Sequence, residues 1–255
     1  MKKLLVLLLL PISIFAQYGL ADFVVLKDGT DSDYHKLEKV WSVYHQKSID
    51  AGEKIGWSVW KRTSQEDDND MAADYVIFNQ FSSKEQLENS MKNFNMDKAT
   101  GIMKAGLKGE MSSNTISKII NKDIKKQVRT YTLAMLDATP LTGGDLKIGD
   151  KMTFAPMIQK TDDYEKAESS IYKPHVLNQI MKGQHRWWAF SKVIDRNENA
   201  YENITHITWN VPVENAKRDD FFVQNDFITK KLGEVVQNSR EMMKAQELTL
   251  VYTSN

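Results

Sequence analysis

Two similar stretches decide how this chain folds: DYHKLEKVWSVYHQKSIDAGEKIGW at residues 33–57 and DYEKAESSIYKPHVLNQIMKGQHRWW at residues 163–188. Both carry the pattern D-Y-x-K-x-E-x6-H followed by I-x2-G-x4-W, at a spacing of 130 residues up to the histidine and 131 after it. A shared pattern of this length indicates an internal duplication. The chain is therefore predicted to contain two copies of one folding unit, with one extra residue after the histidine of the second copy.

Both copies lie within the same predicted order of strands and helices. The strands of the first copy are predicted at residues 23–26, 57–60, 75–78 and 129–135. Helical periodicity runs from about residue 32 to Gly52 and reappears between the third and fourth strands. The second copy repeats this order, with strands at residues 151–158, 187–194, 204–209 and 247–252 and helices within 163–182 and 214–244. The order βαββαβ, taken twice, predicts an α+β fold of two tandem ferredoxin-like units.

The chain divides into four predicted segments. Residues 17–138 form the first unit, residues 150–255 form the second, and the Pro/Gly-containing residues 139–149 form a linker between them. The first sixteen residues, MKKLLVLLLLPISIFA, combine two lysines, a short apolar run and a small final residue, which is typical of a signal peptide. We therefore expect export to the periplasm or the medium, and no membrane segment once residues 1–16 are removed.

The composition excludes several classes of protein. The 255 residues contain 34 basic and 34 acidic side chains and no cysteine, so the basic surface of a nucleic-acid-binding protein and a disulfide framework are both excluded. The five histidines do not show the spacing of a zinc hydrolase, and no metal site is expected. Nucleophile-elbow, phosphate-loop and dinucleotide-binding motifs are missing from the sequence. The expected partner is a small molecule.

The strand that follows the first helix of each copy is apolar on both faces. Side chains alternate along a strand, so Trp57 and Val59 share one face and Trp60 lies on the other, while Trp187 and Trp188 occupy opposite faces in the second copy. The helices of a ferredoxin-like unit cover only one face of its sheet, so the second face needs another apolar partner. The other copy supplies it, which predicts that the two units pack sheet to sheet.

In its element order, its tandem arrangement and the string E-x6-H-x3-4-I-x2-G-x4-W, the chain resembles the dimeric α/β-barrel superfamily, which includes antibiotic-biosynthesis-monooxygenase-like and NIPSNAP-like proteins. The resemblance covers nearly all of the chain after residue 16. It implies an intrachain version of the barrel that single-unit relatives build by dimerising, and hence a monomer with an internal pseudo-dimer. It also implies a ligand held between the helices and the sheet.

Polar and aromatic side chains share one face of the first helix of each copy. Glu38, Trp41 and His45 lie at positions i, i+3 and i+7, and Tyr34 precedes them by one turn. Polar groups that face an apolar sheet must be hydrogen-bonded or line a wet cavity, and the resemblance implies the cavity, with Trp57 as an aromatic wall. The candidate ligand-binding residues are Tyr34, Glu38, Trp41, His45 and Trp57 in the first copy and Tyr164, Glu168, His175 and Trp188 in the second.

Two interpretations of the helix histidines stay open at this point. His45 and His175 either line a ligand cleft or are core residues that bond to backbone carbonyls. About 10 Å separates Glu38 from His45 along the helix axis, so these two residues do not form an acid–base pair by themselves. The second copy has Ile171 where the first has Trp41, and it carries the extra residue, so the two clefts are expected to differ.

Two functions agree with these features. The first is an exported binding protein that holds a small apolar or aromatic ligand in one or both clefts between the first helix and the sheet. The second, which the resemblance implies, is an enzyme, either a cofactor-free oxygenase or a haem-handling protein. The residues themselves require no cofactor, haem stays open through the resemblance alone, and no catalytic residue is assigned.

Overall fold

The computed structural model of the protein describes residues 17–217, 220–222 and 226–254, so the predicted signal peptide lies outside the described residues. The strands are β1 (Tyr18–Leu26), β2 (Gly56–Arg62), β3 (Tyr75–Phe81), β4 (Lys125–Ala138), β5 (Lys151–Gln159), β6 (His185–Arg196), β7 (His206–Pro212), β8 (Arg240–Met242) and β9 (Gln246–Thr253). The helices are α1 (Asp31–Asp50), α2 (Lys84–Asn93), α3 (Met96–Gly106), α4 (Ser113–Ile120), α5 (Tyr164–Ala167), α6 (Lys173–Met181) and α7 (Phe227–Ser239). A π turn, Glu168–Tyr172, joins α5 to α6.

Eight of the strands close into one antiparallel barrel. The strand order is β4-β1-β3-β2 in the first half and β9-β5-β7-β6 in the second, and the pairs β2–β9 and β4–β6 join the two halves along both edges. The short strand β8 pairs with the end of β5. The predicted α+β class and the barrel are therefore confirmed, and the two sheets are not separate layers, because hydrogen bonds connect their edges.

The barrel interior holds one apolar core, and the helices cover the outside. Trp60, Phe154 and Trp209 lie in the interior, whereas Trp57 and Val59 lie outside, where they pack against α1. This is the alternation predicted for two-sided strands. The segment between β4 and β5, which contains the predicted linker, crosses one end of the barrel.

Local sequence explains where the helix next to the first sheet begins and ends. Asp31 and Asp33 lie in the first turn of α1, where carboxylates are favoured by the partial positive charge of the helix N-terminus. Gly52 follows the last turn with φ of 72°, a left-handed conformation that glycine adopts without steric cost. Within the described residues, no helix is long and apolar enough to cross a membrane.

Corresponding strands of the two halves pair in the same register. Trp57 of β2 lies opposite Asn79 of β3, and Trp188 of β6 lies opposite Asn210 of β7. Each pair of equivalent residues is 131 positions apart. The two sheets therefore place matching side chains beneath the first helix of each half.

The first helices themselves differ, because α1 is continuous whereas the second half has the π turn. Glu38 and Glu168, both buried, are 130 residues apart, but the next buried polar pair, Ser48 and Gln179, is 131 apart. A π turn absorbs one extra residue in a helix. The sequence comparison put this residue after His175, whereas the structure has it before His175, at Glu168–Tyr172.

Candidate active site

A cavity of about 380 Å³ lies between α1 and the outer face of the first sheet, and we call it the α1 cleft. It is open to solvent on the side of α2 and the segment that joins α2 to α3. The side chains that give it its chemistry are Asp22, Glu38, Trp41, Tyr44, His45, Lys54, Asn79, Phe94 and Lys125. They come from α1, from three strands and from two connecting segments.

Two carboxyl groups lie at one end of the α1 cleft. Glu38 is buried, and this burial raises the pKa of its carboxyl to about 7, although nearby Lys125 and the Tyr34 hydroxyl oppose the rise. Burial also raises the pKa of Asp22, while the Thr130 hydroxyl, which donates to Asp22 at 2.6 Å, counteracts it. The Asp22 carboxyl adds to the rise in the pKa of Glu38, and Lys125 lowers the pKa of both carboxyl groups. Glu38 therefore exchanges its proton near neutral pH.

A buried lysine and a neutral histidine lie next to these carboxyl groups. Lys54 donates a hydrogen bond to Oδ1 of Asn79 at 2.6 Å, and its Nζ lies 3.0 Å from Nδ1 of His45. Burial lowers the pKa of Lys54 to about 8, and burial together with the adjacent Lys54 charge lowers the pKa of His45 well below its ordinary value. At neutral pH His45 is thus an uncharged acceptor beside a mostly protonated amine.

Aromatic rings form the remaining walls of the α1 cleft. The His45 ring stacks on Trp57 at 4.7 Å with planes 17° apart, and the Trp41 ring lies 5.8 Å from that of His45. Phe94, which is half exposed, contacts Tyr44 at 6.0 Å. The α1 cleft therefore combines aromatic ring faces with the polar groups of Glu38 and Lys54.

The arrangement is chemically suited to proton transfer. Glu38 and Lys54 have pKa values displaced toward neutrality from opposite directions. Such displaced groups around one cavity are characteristic of general acid–base sites. Among the residues that the structure describes, no group of three or more metal-ligating His, Asp or Glu side chains occurs.

The sequence-predicted residues of the first half occupy three levels of this site. Glu38, Trp41 and His45 line the α1 cleft, whereas Trp57 lies beneath His45. Tyr34 is buried behind Glu38, with its ring 4.3 Å from that of Tyr75.

Sequence reasoning missed several polar residues of the site, of which Asp22, Lys54 and Asn79 matter most. Lys54 lies inside the repeated stretch, between its glycine and its tryptophan, and this position could have identified it as a candidate site residue. Asp22 is the one acidic residue in the strand that precedes the first helix, where the flanking side chains are apolar. Asn79 lies opposite Trp57 in the sheet, a relation that the sequence alone does not show.

The matching region of the second half is filled by protein. Glu168 is fully buried and forms an ion pair with Arg240; burial raises the pKa of Glu168 to about 7, and Arg240 opposes the rise. The Arg240 guanidinium lies over the rings of Tyr172 and Phe222 at 5.5 and 5.7 Å, and these two rings stack on each other at 5.9 Å. An arginine and a phenylalanine thus fill the space that is open beside Glu38.

His175 does not match His45 in the structure. Because the π turn precedes it, His175 takes the helix position of Tyr44, and the position of His45 is taken by the buried Val176. The His175 ring lies 5.0 Å from Phe221. Trp188 contacts Tyr172 and Phe190, and Tyr164 is buried against Phe190, so these predicted residues belong to the core of the second half.

Comparison with known proteins shows similarity of fold. No protein-family profile and no curated protein sequence matches the chain. Two structures named "putative monooxygenase" are similar to it: one from Lactobacillus acidophilus NCFM at 12% identity and a TM-score of 0.53, covering 93% of this chain and 95% of that one, and one from Fusobacterium nucleatum at 13% identity and a TM-score of 0.53, covering 93% of each chain. An anthrone oxidase-like protein is similar at 17% identity and a TM-score of 0.52, covering 92% of this chain and 91% of that one.

Proposed function

We propose that this protein binds a small aromatic molecule with an ionisable hydroxyl or an activated carbonyl group in the α1 cleft, and that it exchanges a proton with that molecule. The observation that carries the proposal is that Glu38, Lys54 and His45 line one cavity whose other walls are aromatic. Groups with pKa values of about 7 and about 8 are suited to proton transfer near neutral pH. Aromatic walls with a few convergent polar groups are typical of small-molecule sites.

Each polar residue has a defined part in this proposal. Glu38 accepts the proton from the ligand, because its carboxyl ionises close to neutral pH. Lys54 is protonated under the same conditions and stabilises the anion that forms. His45 and Asn79 hold the Lys54 amine in place through contacts of 3.0 and 2.6 Å.

Oxidation without a cofactor is a second candidate function, and the same proton acceptor favours it. If Glu38 removes a proton from an activated methylene, the carbanion can react with dioxygen, and the methylene becomes a carbonyl as one water is released. Each methylene consumes one dioxygen molecule in this balance. The names of the similar structures supply anthrone as a probe for this reaction.

Haem is the remaining ligand that the family resemblance implies, and His45 is the residue in the α1 cleft that would ligate its iron. Nδ1 of His45 already contacts the Lys54 amine, and a positive charge beside a ligating imidazole opposes metal binding. The residues of the α1 cleft therefore do not fit haem. An absorbance scan of protein from its native host tests this directly, since a Soret band would contradict it.

We infer that the two halves are copies of one ferredoxin-like unit, covering residues 17–138 and 150–255. The shared strand order and the matching Trp–Asn pairs support this inference. We also propose that residues 1–16 direct export, so that the mature protein acts in the periplasm or outside the cell.

The proposed function is tested by titrating the protein with naphthol and with anthrone while following tryptophan emission, since Trp41 and Trp57 lie at the cleft. We expect saturable quenching, and a loss of affinity of about tenfold or more in Lys54→Met, because the ligand anion loses its cation. Dioxygen uptake with anthrone is measured in parallel. If turnover occurs, Glu38→Gln should slow it by about a hundredfold or more.

The matched control is the pair His45→Ala and His175→Ala. His45→Ala should weaken ligand binding while His175→Ala leaves it unchanged, because His175 packs on Phe221 in the filled second half. Equal effects of the two substitutions on binding, with both variants folded, would contradict the assignment of the site to the first half.

A further inference from the structure

A second cavity, of about 470 Å³, lies inside one end of the barrel. It is at the end where β1 and β2 begin and where β4 and β9 terminate. We call it the barrel-mouth cavity, and its inward-facing side chains include Trp60, Phe78, Leu133, Met135, Trp187 and Trp209.

The barrel-mouth cavity is separate from the α1 cleft. Phe78 lines the barrel-mouth cavity and the next residue, Asn79, lines the α1 cleft, because successive side chains of β3 point to opposite faces of the sheet. The sheet therefore divides the two spaces, and a ligand in one does not occupy the other.

The walls of the barrel-mouth cavity are mainly apolar, and Gln80 and Asp145, which also line it, are exposed to solvent. The indole nitrogen of Trp60 donates to Ser58 Oγ at 2.9 Å, and that of Trp209 donates to Ser191 Oγ at 3.0 Å. These two rings thus present carbon surface to the cavity. Trp187 is half-buried at the rim, and within the described part of the chain its indole makes no hydrogen bond.

The rim of this cavity is held in place by an arginine. Leu141 and Leu146, from the segment between β4 and β5, line the rim. Arg186 donates to the carbonyl oxygens of Thr142 and Gly144 at 3.1 and 2.9 Å and to the Asp150 carboxylate at 2.9 Å. The segment is therefore fixed across the mouth of the barrel, and the cavity beneath it is preformed.

The two ends of the barrel interior differ. Toward the other end, the Phe23 ring contacts Tyr131 at 5.5 Å and Phe154 at 5.3 Å, and these three rings line a smaller cavity of about 240 Å³. An eight-stranded barrel has an interior that is either filled by side chains or wide enough for one small ligand. In this barrel the larger space, about 470 Å³, is the barrel-mouth cavity, against about 240 Å³ at the other end.

We propose that the barrel-mouth cavity binds one small, uncharged aromatic molecule. Its volume lies within the usual range of small-molecule sites. Asp145, the one charged side chain in the described lining, is exposed to solvent, so a charged ligand inside the barrel would lose its hydration without gaining a charged partner there. The Trp187 indole offers a hydrogen-bond donor to a carbonyl or ether oxygen at the edge of the ligand. This site goes beyond the proposed function, since no residue of the acid–base cluster lines it.

The test uses N-phenylnaphthylamine, an uncharged aromatic probe whose fluorescence rises in apolar surroundings, titrated into the purified protein. We expect saturable binding that Met135→Trp weakens by about tenfold or more, because the larger ring fills the cavity. Leu136→Trp is the matched control, since Leu136 is the next residue and is exposed outside the barrel. It should bind the probe like the wild type.

Circular dichroism first establishes that each variant is folded. If Met135→Trp does not fold, Ala138→Leu takes its place with the same expected loss, because Ala138 lines the same cavity. Trp41→Ala, in the α1 cleft, should leave probe binding unchanged. The proposal is overturned if the wild type does not bind the probe, if the cavity-filling variant binds it normally, or if Trp41→Ala abolishes binding.

Discussion

At the scale of single residues, Glu38 shows how burial sets the chemistry of the site. Its carboxyl is placed on the helix face that packs against the sheet, where water cannot solvate a negative charge. Lys125 and Tyr34 lie near enough to limit the effect, and the resulting pKa is about 7. The carboxyl can therefore give and take a proton at the pH at which most proteins work.

The first prediction concerns the effect of this carboxyl on stability. The pKa of Glu38 in the folded state, about 7, lies above the ordinary value of 4.5. Between these two pH values the folded state therefore keeps a proton on Glu38 that the unfolded state has released. The contribution of Glu38 to the free energy of unfolding is thus fully present at low pH and is lost as the pH rises through this interval. Over the whole interval the loss from Glu38 is on the order of 3 kcal/mol.

Glu38→Gln removes this dependence, because the amide is neutral at every pH. Urea unfolding at about pH 5 and about pH 8 should show that the wild type loses about 2.5 kcal/mol more than the variant over this range. Glu168 titrates in both proteins, so its contribution cancels. Parallel pH dependence in the two proteins would mean that Glu38 is ionised throughout.

The second prediction concerns the ion pair of Glu168 and Arg240, both of which are buried. Arg240→Met should lower the free energy of unfolding by about 3–5 kcal/mol at neutral pH, because it leaves Glu168 buried without a partner. The double variant with Glu168→Leu should regain most of this loss, since two apolar side chains need no counter-charge. Urea titration measures both, and a double variant as unstable as Arg240→Met would contradict the pairing.

Residues on the helix face could be predicted from the sequence, whereas their partners on the sheet could not. Helical spacing alone brings Glu38, Trp41 and His45 to one side of α1. Asp22 and Asn79 join them only through strand pairing, with Asp22 opposite Ile77 and Asn79 opposite Trp57. That pairing depends on contacts between distant parts of the chain, which a local pattern does not encode.

At the scale of elements, the two first helices show how one extra residue makes two otherwise similar regions of the halves differ. α1 is continuous and keeps His45 over Trp57. The π turn in the second half rotates the following residues by one position, so a valine replaces the histidine over the sheet. The sequence predicted that the two regions differ, but it did not show where the extra residue lies. The shared pattern aligns His45 with His175, which places the extra residue after the histidine.

The third prediction is that deletion of Ser170, an exposed residue inside the π turn, is tolerated. Removing it gives the spacing of α1, with Tyr172 three positions after Glu168, as Trp41 is after Glu38. The buried contacts on both sides of the turn can then be kept in a regular helix. Thermal unfolding should show a melting temperature close to that of the wild type.

Deletion of Lys39, which is exposed in the same part of α1, is the matched control. It rotates the rest of α1 by about 100° relative to its first turns and removes Trp41 and His45 from their places over the sheet. This variant should be unfolded or strongly destabilised. If both deletions are equally harmful, the π turn does not hold the extra residue.

At the scale of the whole molecule, closure of the barrel explains how one chain pairs the edges of two sheets and buries their apolar inner faces. The outer strands of the first sheet, β2 and β4, pair with β9 and β6 of the second. Inward-facing tryptophans of both halves, such as Trp60 and Trp209, lie in one core. The strands that are apolar on both faces predicted this shared interior. They did not predict the hydrogen bonds that join the edges of the two sheets, because the sequence does not show which strands are neighbours.

The last prediction is that the protein is monomeric. An open four-stranded sheet has two unpaired edges and an apolar inner face, which a single-unit protein can satisfy only by binding a second chain. Here the two edge pairings and the common core supply this partner within one chain. Light scattering at micromolar concentration should give the mass of one chain, and this mass should not change on dilution.

Fragments 17–138 and 150–255, produced separately, should associate when mixed, because each exposes the surface that the other covers. A stable dimer of the intact chain, or fragments that do not bind each other, would show that the two halves do not cover each other's sheet edges and inner faces.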